Sequence, residues 1–339
     1  MAEAGHGGSA DAPSLLGAAG PRLRTAADGL WNGQSASLVR LGAALLALCA
    51  VFALTADNFL TVDNFLNIGR ATAVFGVAAL GVTVALIAGP LDVSFGAVMS
   101  LSGIVAAERL LAGDELWVAL ALGLVVGLAC GAVNGVLVAV LKLDGFIVTL
   151  GMLSVIGGYA FLRTNGAPTS APGSGFAEIG RGTSWGVPNA LWIMLALAVA
   201  LGMLLRLTPF GQRCYAAGDN ARAATLAGLR VWRVRIAALA ISGATAAIAG
   251  MLLVANSGQA NPGAGERVLL STLAAVIIGG TALSGGKGRI AGTLLGIAIL
   301  GTIDSGLNLW QLSTDWQDVI RGAIVVGALV LDQVRRRAV

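Results

Sequence analysis

The residues that could do chemistry in this chain fall in three places. The first is "GGTALSGGKGRIAG", residues 279–292, a glycine-rich run carrying Lys287. A phosphate cradle reads G-x-x-x-x-G-K-[ST], with backbone N–H groups and the lysine holding phosphates and the last hydroxyl holding Mg²⁺. Lys287 does follow Gly286, but Thr281 stands where the first glycine belongs and Gly288 where the hydroxyl belongs. "GKGRIA" also imitates G-x-G-x-x-A, a pattern that needs a short buried strand before it; here an apolar span precedes it. Nucleotide binding by this loop is not expected. The second place holds Asp304 and Asn308, one helical turn apart, with Trp310 close behind. Residues four apart share a helix face. Carboxylate, amide and indole together suit a sugar, whose hydroxyls and C–H face they match. They equally suit interfacial solvation with a helix–helix hydrogen bond. The third place is Asp92 and Ser94 in "GPLDVS", where either could cap the helix that follows or line a pathway. Asn134 is an isolated amide in an apolar run.

Other chemistries are excluded by what the chain lacks. Its one histidine, His6, lies in the N-terminal segment, which rules out a histidine metal site or proton relay in the membrane. Cys49, Cys130 and Cys214 have no metal-ligand spacing and imply no disulfide framework; they read as small packing residues. No Ser/His/Asp constellation is present. No catalytic residue, no metal and no cofactor bound by this chain are expected.

The elements that must position these residues are membrane helices. Hydrophobic residues make up 57% of the chain and charged residues 11%, with a mean hydropathy of +0.86, against about 25% charged in soluble domains. A span needs about 20 mostly apolar residues. Ten candidates result: 38–56, 69–89, 93–112, 116–141, 145–163, 189–207, 235–255, 267–284, 290–309 and 316–334. Only "GPLD" separates the second and third, so 85–95 reads as a junction or a re-entrant stretch. The fold class expected is an all-α polytopic membrane protein.

Lys and Arg collect on the cytoplasmic side of membrane proteins. With the N-terminus inside, fifteen of the 21 fall on the inner side and six outside; both termini are therefore expected in the cytoplasm. Trp117, Trp185, Trp192, Trp310 and Trp316 then sit at outer helix ends, where indole rings favour the interface. Residues 1–34 are Gly/Ala/Ser/Pro-rich, without the 7–15-residue apolar core of a secretory signal. They read as a flexible cytoplasmic tail before a membrane domain at 35–339.

Lipid gives helices no hydrophobic reason to associate, so small residues mark close contacts. Gly123, Gly127, Gly131 and Gly135 make one such ridge; Gly96, Ser100, Gly103 and Ala107 make another, and Gly288, Gly292 and Gly296 repeat the pattern. A charge at the bilayer centre costs at least ~2.5–3.5 kcal/mol, so the few polar groups inside spans stand out.

The longest inner connection, residues 206–235, is basic yet patterned. Pro209 ends a span, Gly218–Asp219–Asn220 reads as a turn with Asp219 or Asn220 as N-cap, and a short helix "ARAATLAGL" follows, closed by Gly228. Its small apolar surface is what a docking element looks like.

"FGQRCYAAGDNARAATLAGLRVWRVRI" resembles the cytoplasmic coupling segment of ribose-type ABC importer permeases: an aromatic-Gly-Arg run (Phe210, Gly211, Arg213), then A-x-G-x-N (Ala216, Gly218, Asn220), then A-A-x-x-x-G (Ala223, Ala224, Gly228). "GPLDVSFGAVMSLSG" is similar to the family's Gly-Gly-Ile-Asp-Leu-Ser-Val-Gly segment, with Pro90 for the second glycine. "FIVTLGMLSVIGG" resembles its Phe-Ile-x-Thr-Leu-Gly-Met segment, and residues 279–309 its Gly-rich inner loop and following helix. The likeness runs from about residue 60 to 335.

The resemblance implies a non-catalytic permease of the bacterial cytoplasmic membrane, passing a sugar or sugar-like solute. It implies a second permease copy or paralogue, an extracytoplasmic sugar-binding protein, and a cytoplasmic ATPase subunit carrying ATP and Mg²⁺; no nucleic acid is implied. Docking residues would be Gly211, Arg213, Gly218, Asp219, Asn220, Arg222, Ala223, Ala224, Leu226 and Gly228. Many relatives have an acidic residue where this chain carries Arg222. Candidate pathway residues are Asp92, Ser94, Asn134, Phe146, Thr149, Asp304 and Asn308. The alternative is an ion-coupled secondary transporter, which needs intramembrane carboxylates or histidines at mid-depth; here the acidic groups cluster near span ends.

Overall fold

The computed structural model describes residues 34–327 apart from 314, 318 and 325. The expected tail at 1–33 and the end of the last candidate span therefore lie outside the described residues. Gln34 already belongs to the first helix.

Thirteen helices are defined among the described residues. α1 (Gln34–Thr55), α2 (Val62–Ala88), α3 (Phe95–Leu111), α4 (Leu116–Ala139) and α5 (Gly145–Thr164) come first. A connecting region follows with β1 (Thr169–Ser170), α6 (Ser174–Arg181), β2 (Thr183–Ser184) and β3 (Val187–Pro188). Then come α7 (Asn189–Leu207), α8 (Pro209–Asp219), α9 (Ala221–Leu226), α10 (Val231–Ser257), β4 (Gln259–Ala260), α11 (Ala264–Arg267), α12 (Leu269–Ile278) and α13 (Ile290–Leu309). Residues 315–317, 319–324 and 326–327 are helical as well. The strands are two-residue clips: β1 pairs antiparallel with β4, Thr169 opposite Ala260, and β2 with β3, Thr183 opposite Pro188.

Seven helices among the described residues are long and apolar enough to cross a membrane: α1, α2, α4, α5, α7, α10 and α13. Two expected spans differ from this. Residues 93–112 form the 17-residue α3, which is almost wholly buried. Residues 267–284 do not make a full span: α12 has ten residues, about 15 Å at 1.5 Å per residue, and glycines 279 and 280 end it.

The layering follows burial. The most apolar stretch of α2 is 94% buried, whereas that of α1 is 6% buried. A helix apolar all round belongs in a core or in lipid, and the chain uses both options. α2 is enclosed by α10, α7, α13 and α12; α3 sits between α10, α4 and α5. The glycine ridge of α4 lies on α10: a Cβ on Gly131 would overlap the Leu239 carbonyl, and one on Gly127 the Gly243 carbonyl. Gly123 faces Met251 and Gly135 faces Ile236 in the same contact. Around the outside, α7 shows an exposed stripe of Trp192, Leu195, Val199 and Met203.

Four helix starts are capped by short polar side chains, which pair otherwise free first-turn N–H groups. Thr61 accepts from Asn64 N–H, Asp144 from Ile147 N–H, Thr208 from Gly211 N–H and Asn220 from Ala223 N–H. Two ends of the bundle can then be distinguished. The platform end gathers the last turn of α2, α8, α9 and residues 279–289. The hairpin end carries the β clips and α6.

Candidate functional site

At the platform end, Thr208 closes α7 and caps α8, and Pro209 takes the first position of α8. Pro suits that position because its missing N–H is not needed there. α8 buries Gly211, Cys214 and Ala217 along one face. This packing carries the helix through Gly218 and Asp219, so the expected Gly218–Asp219–Asn220 turn shrinks to Asn220 alone. Asn220, rather than Asp219, is the cap of α9, its Oδ1 accepting from Ala223 N–H at 2.9 Å. α9 ends in a left-handed Gly228, φ +84°. Gly228 N–H donates to Thr225 C=O and Leu229 N–H to Ala224 C=O, which satisfies its last carbonyls.

α9 is therefore fixed at both ends yet barely packed. Ala224 is its buried residue, while Arg222, Ala223, Thr225 and Leu226 are exposed, Leu226 to 84%. Arg213 and Asp219 of α8 are exposed beside it.

The glycine-rich loop is the floor of this platform. Gly286 N–H donates to Ile87 C=O at 3.1 Å, Gly285 N–H to Ala282 C=O and Ala282 N–H to Lys287 C=O. Tyr215 Oη donates to Gly288 C=O at 2.9 Å. A Cβ on Gly218 would overlap the Ile87 carbonyl and the Gly286 backbone. These amides face protein rather than forming a phosphate cradle. What the loop does is lock α8 onto the last turn of α2. Burial pushes the Cys214 thiol in this contact up to about 12.

Immediately beyond this lock, α2 breaks. Residues 89–94 are non-helical and lead into a buried polar joint. Asp92 Oδ1 accepts from Ser94 N–H at 2.9 Å and Ser94 Oγ–H at 2.7 Å; Oδ2 accepts from Ser242 Oγ–H at 2.7 Å. Asn134 Nδ2 donates to Ser94 Oγ at 2.7 Å. Thr149 Oγ1 donates to Leu91 C=O at 3.1 Å and accepts from Val93 N–H at 3.2 Å. Asp92, Ser94, Asn134, Thr149 and Ser242 are all buried. A buried charge must be hydrogen-bonded or paired. Here hydroxyls and a backbone amide serve the carboxylate, and the joint ties α3, α4, α5 and α10 together at one level. Asp92 reaches the amide at the start of α3; Ser94 makes no side-chain capping bond.

Four of the seven candidate pathway residues thus meet in one place: Asp92, Ser94, Asn134 and Thr149. Ser242 completes the joint and belongs to no motif in the sequence; its one signal is a lone serine beside Gly243 and Thr245 in the apolar α10. Phe146 lies outside it, about half exposed. Asp304 and Asn308 are elsewhere. Asp304 pairs with Arg321 at 2.9 Å and Asn308 Oδ1 accepts from Gln317 Nε2–H at 2.8 Å, while Trp310 Nε1–H donates to Thr55 C=O at 3.2 Å. These three fasten α13 to its neighbours, the helix–helix bonding alternative for that trio.

Comparison with known proteins bears on what this assembly belongs to. Residues 64–329 match the family described as branched-chain amino acid transport system / permease component. The ribose import permease protein of Bacillus subtilis (strain 168) is 38% identical over 269 residues, 79% of this chain and 84% of that protein. The protein of the same name from Escherichia coli (strain K12) is 36% identical over 309 residues, 89% and 94% of the two chains. The L-arabinose transport system permease protein of Escherichia coli (strain K12) is 32% identical over 325 residues, 96% and 98% of the two. No solved structure matches the chain.

Proposed function

The chain belongs to this permease family, and from that premise we propose that it carries a sugar or sugar-like solute across the bacterial cytoplasmic membrane as the membrane subunit of an ATP-binding cassette importer. It is a non-catalytic, multi-pass subunit. ATP and Mg²⁺ are held by a separate cytoplasmic ATPase subunit, an extracytoplasmic binding protein delivers the solute, and a second permease copy or paralogue completes the pore. The platform end faces the cytoplasm, and so do both termini. Residues 1–33 precede the permease domain, which starts in α1 and carries ten membrane-embedded segments, with 206–235 as the coupling region.

The observation that carries this reading is α9: a short helix capped at both ends, held above a locked platform, with its apolar Leu226 in solvent. On a rigid element, beside exposed Arg222 and Ala223, Leu226 can serve as the apolar centre of a contact with a charged rim. Arg222, Ala223 and Leu226 would enter a groove on the ATPase, with Arg213 and Asp219 at its rim. Gly211 and Gly218 let α8 seat against its neighbours. Movement of the ATPase would then pass through α8 and the Gly218–Ile87–Gly286 contact to the end of α2, and from there to the joint at Asp92.

Two measurements test this. Vesicles holding the permease with its ATPase subunit and binding protein should import ribose or arabinose on ATP without an ion gradient; gradient-driven, ATP-independent uptake would sink the proposal. Leu226→Arg should weaken ATPase association about tenfold or more, as loss of an interface hot spot does, while the permease stays folded. If association and uptake both survive Leu226→Arg, α9 is not the docking helix.

A further inference from the structure

The segment between α10 and α12 turns back into the bundle. α3 and α10 rise side by side toward the hairpin end: Gly250 packs on Met99, and Gly103 on Val254. α10 continues to Ser257, yet Gly265, eight residues later, lies against Gly96, near the start of α3. Its N–H donates to Ser100 Oγ at 3.0 Å. From the level of Gly103 to that of Gly96 the chain has descended about 10 Å. The ten-residue α12 starts from this depth and runs on to the platform.

α5 gives an independent measure of the same depth. Its Thr149 bonds the break at Leu91, its Phe161 touches Gly263, and its Arg163 pairs with Glu108 at 2.7 Å. Between these levels, a Cβ on Gly157 would lie 3.0 Å from Glu266 Oε1. Gly157 stands about 18 Å from the platform end of α5 and about 10 Å from its other end. Glu266 is therefore well inside the membrane-spanning length.

Glu266 and Arg267 are both exposed at this depth. Neither side chain makes a hydrogen bond or ion pair among the described residues. Charges at such a position are costly against lipid, so they face a bundle interior or a water-filled cavity. A break between helices at membrane depth is tolerated under the same condition. Gly265 meets it by burial; Glu266 and Arg267 would meet it by being wet. A carboxylate accepts from two hydroxyls and a guanidinium offers a fork of donors. Adjacent and opposite in sign, they leave the site near neutral overall, which suits an uncharged polyol. Ser154, exposed one turn along α5 from Gly157, adds a hydroxyl on the same face.

We propose that Glu266 and Arg267 line the aqueous translocation pathway and hold a neutral, polyhydroxylated solute part-way across the membrane. The identity of the solute class rests on the sugar-import reading; the aqueous exposure does not. The test uses proteoliposomes containing the complete transporter. A charged, membrane-impermeant methanethiosulfonate reagent should label Glu266→Cys above the parent protein and leave Val199→Cys, on the exposed apolar stripe of α7, unlabelled. E266Q and R267Q should each raise KM for ATP-driven ribose or arabinose uptake about tenfold, the scale of one lost charged hydrogen bond. A Glu266→Cys variant as inert to the reagent as Val199→Cys would overturn the proposal. Unchanged KM in both glutamine variants would overturn the solute-holding role even if Glu266→Cys is labelled. A wild type that imports neither sugar, while Glu266→Cys is labelled, would reject ribose and arabinose as the solute and support the wet pathway.

Discussion

Two interruptions between long helices lie inside this bundle, and they treat charge in opposite ways. Residues 89–94 bury Asp92 and surround it with Ser94, Ser242 and a backbone amide. Residues 258–268 leave Glu266 and Arg267 exposed at depth. One stretch satisfies its polar groups internally and so fixes four helices. The other leaves its charged groups open to something that passes. Discontinuous helices near the midplane are where membrane transporters place their sites; here one break is built for cohesion and the other for contact.

The sharpest way to break that contrast is to remove the buried acceptor. Asp92→Ala leaves two hydroxyls and an amide unpaired, each costing about 1–3 kcal/mol, so folded yield and thermal stability in detergent should fall by about 3 kcal/mol or more. An Asp92→Ala variant as stable as the parent would mean that the joint is not structural. Next in size is Gly218→Ala, which forces a Cβ onto the Ile87 carbonyl; overpacking of this kind costs about 1–3 kcal/mol. Uptake should suffer more than folding, because the displaced contact links α8 to α2. The counterpart in the open stretch, Glu266→Gln, should change stability by less than about 0.5 kcal/mol, measured in the same melt. A large drop there would place Glu266 with Asp92 as a structural residue. Smallest is a near-absence of reaction. Burial raises the Cys214 thiol to about 12, so it stays protonated at about pH 8, and the thiolate is the reactive form. Alkylation of Cys214, followed by mass spectrometry, should be slow until the protein unfolds.

The class of this fold was legible because α1, α4, α5 and α7 carry apolar runs of span length, and because the α4 glycines repeat every four residues. The α9 stop at Gly228 was legible too, and its cap to within one residue, Asp219 or Asn220, since the local chemistry of these residues decides their backbone. Less was visible where packing overrides local signals. Gly218 reads as a turn residue but sits in a helix, held there by the buried face of α8. The run at 267–284 reads as a span on hydropathy alone, which cannot register that the residues just before it, Gly265 and Glu266, lie beside Gly96. Asp92, Ser94, Asn134 and Thr149 each stand out as polar residues in apolar surroundings, yet nothing in their spacing shows that they meet. Ser242 and Glu266 acquire meaning from contacts roughly 100 to 150 residues away in sequence.

The burial of α2 has a consequence for how the protein is made. Its main enclosing partner, α10, begins about 140 residues after α2 ends, and α13 comes later still. At roughly 5–20 residues per second, α2 waits for about 7 to 30 seconds before α10 is synthesised. During that time the face that α10 will cover is solvated by lipid or by an insertion factor. The centre of the finished bundle is thus one of the first helices to be threaded and one of the last to be enclosed, and each glycine contact around it marks lipid that must leave.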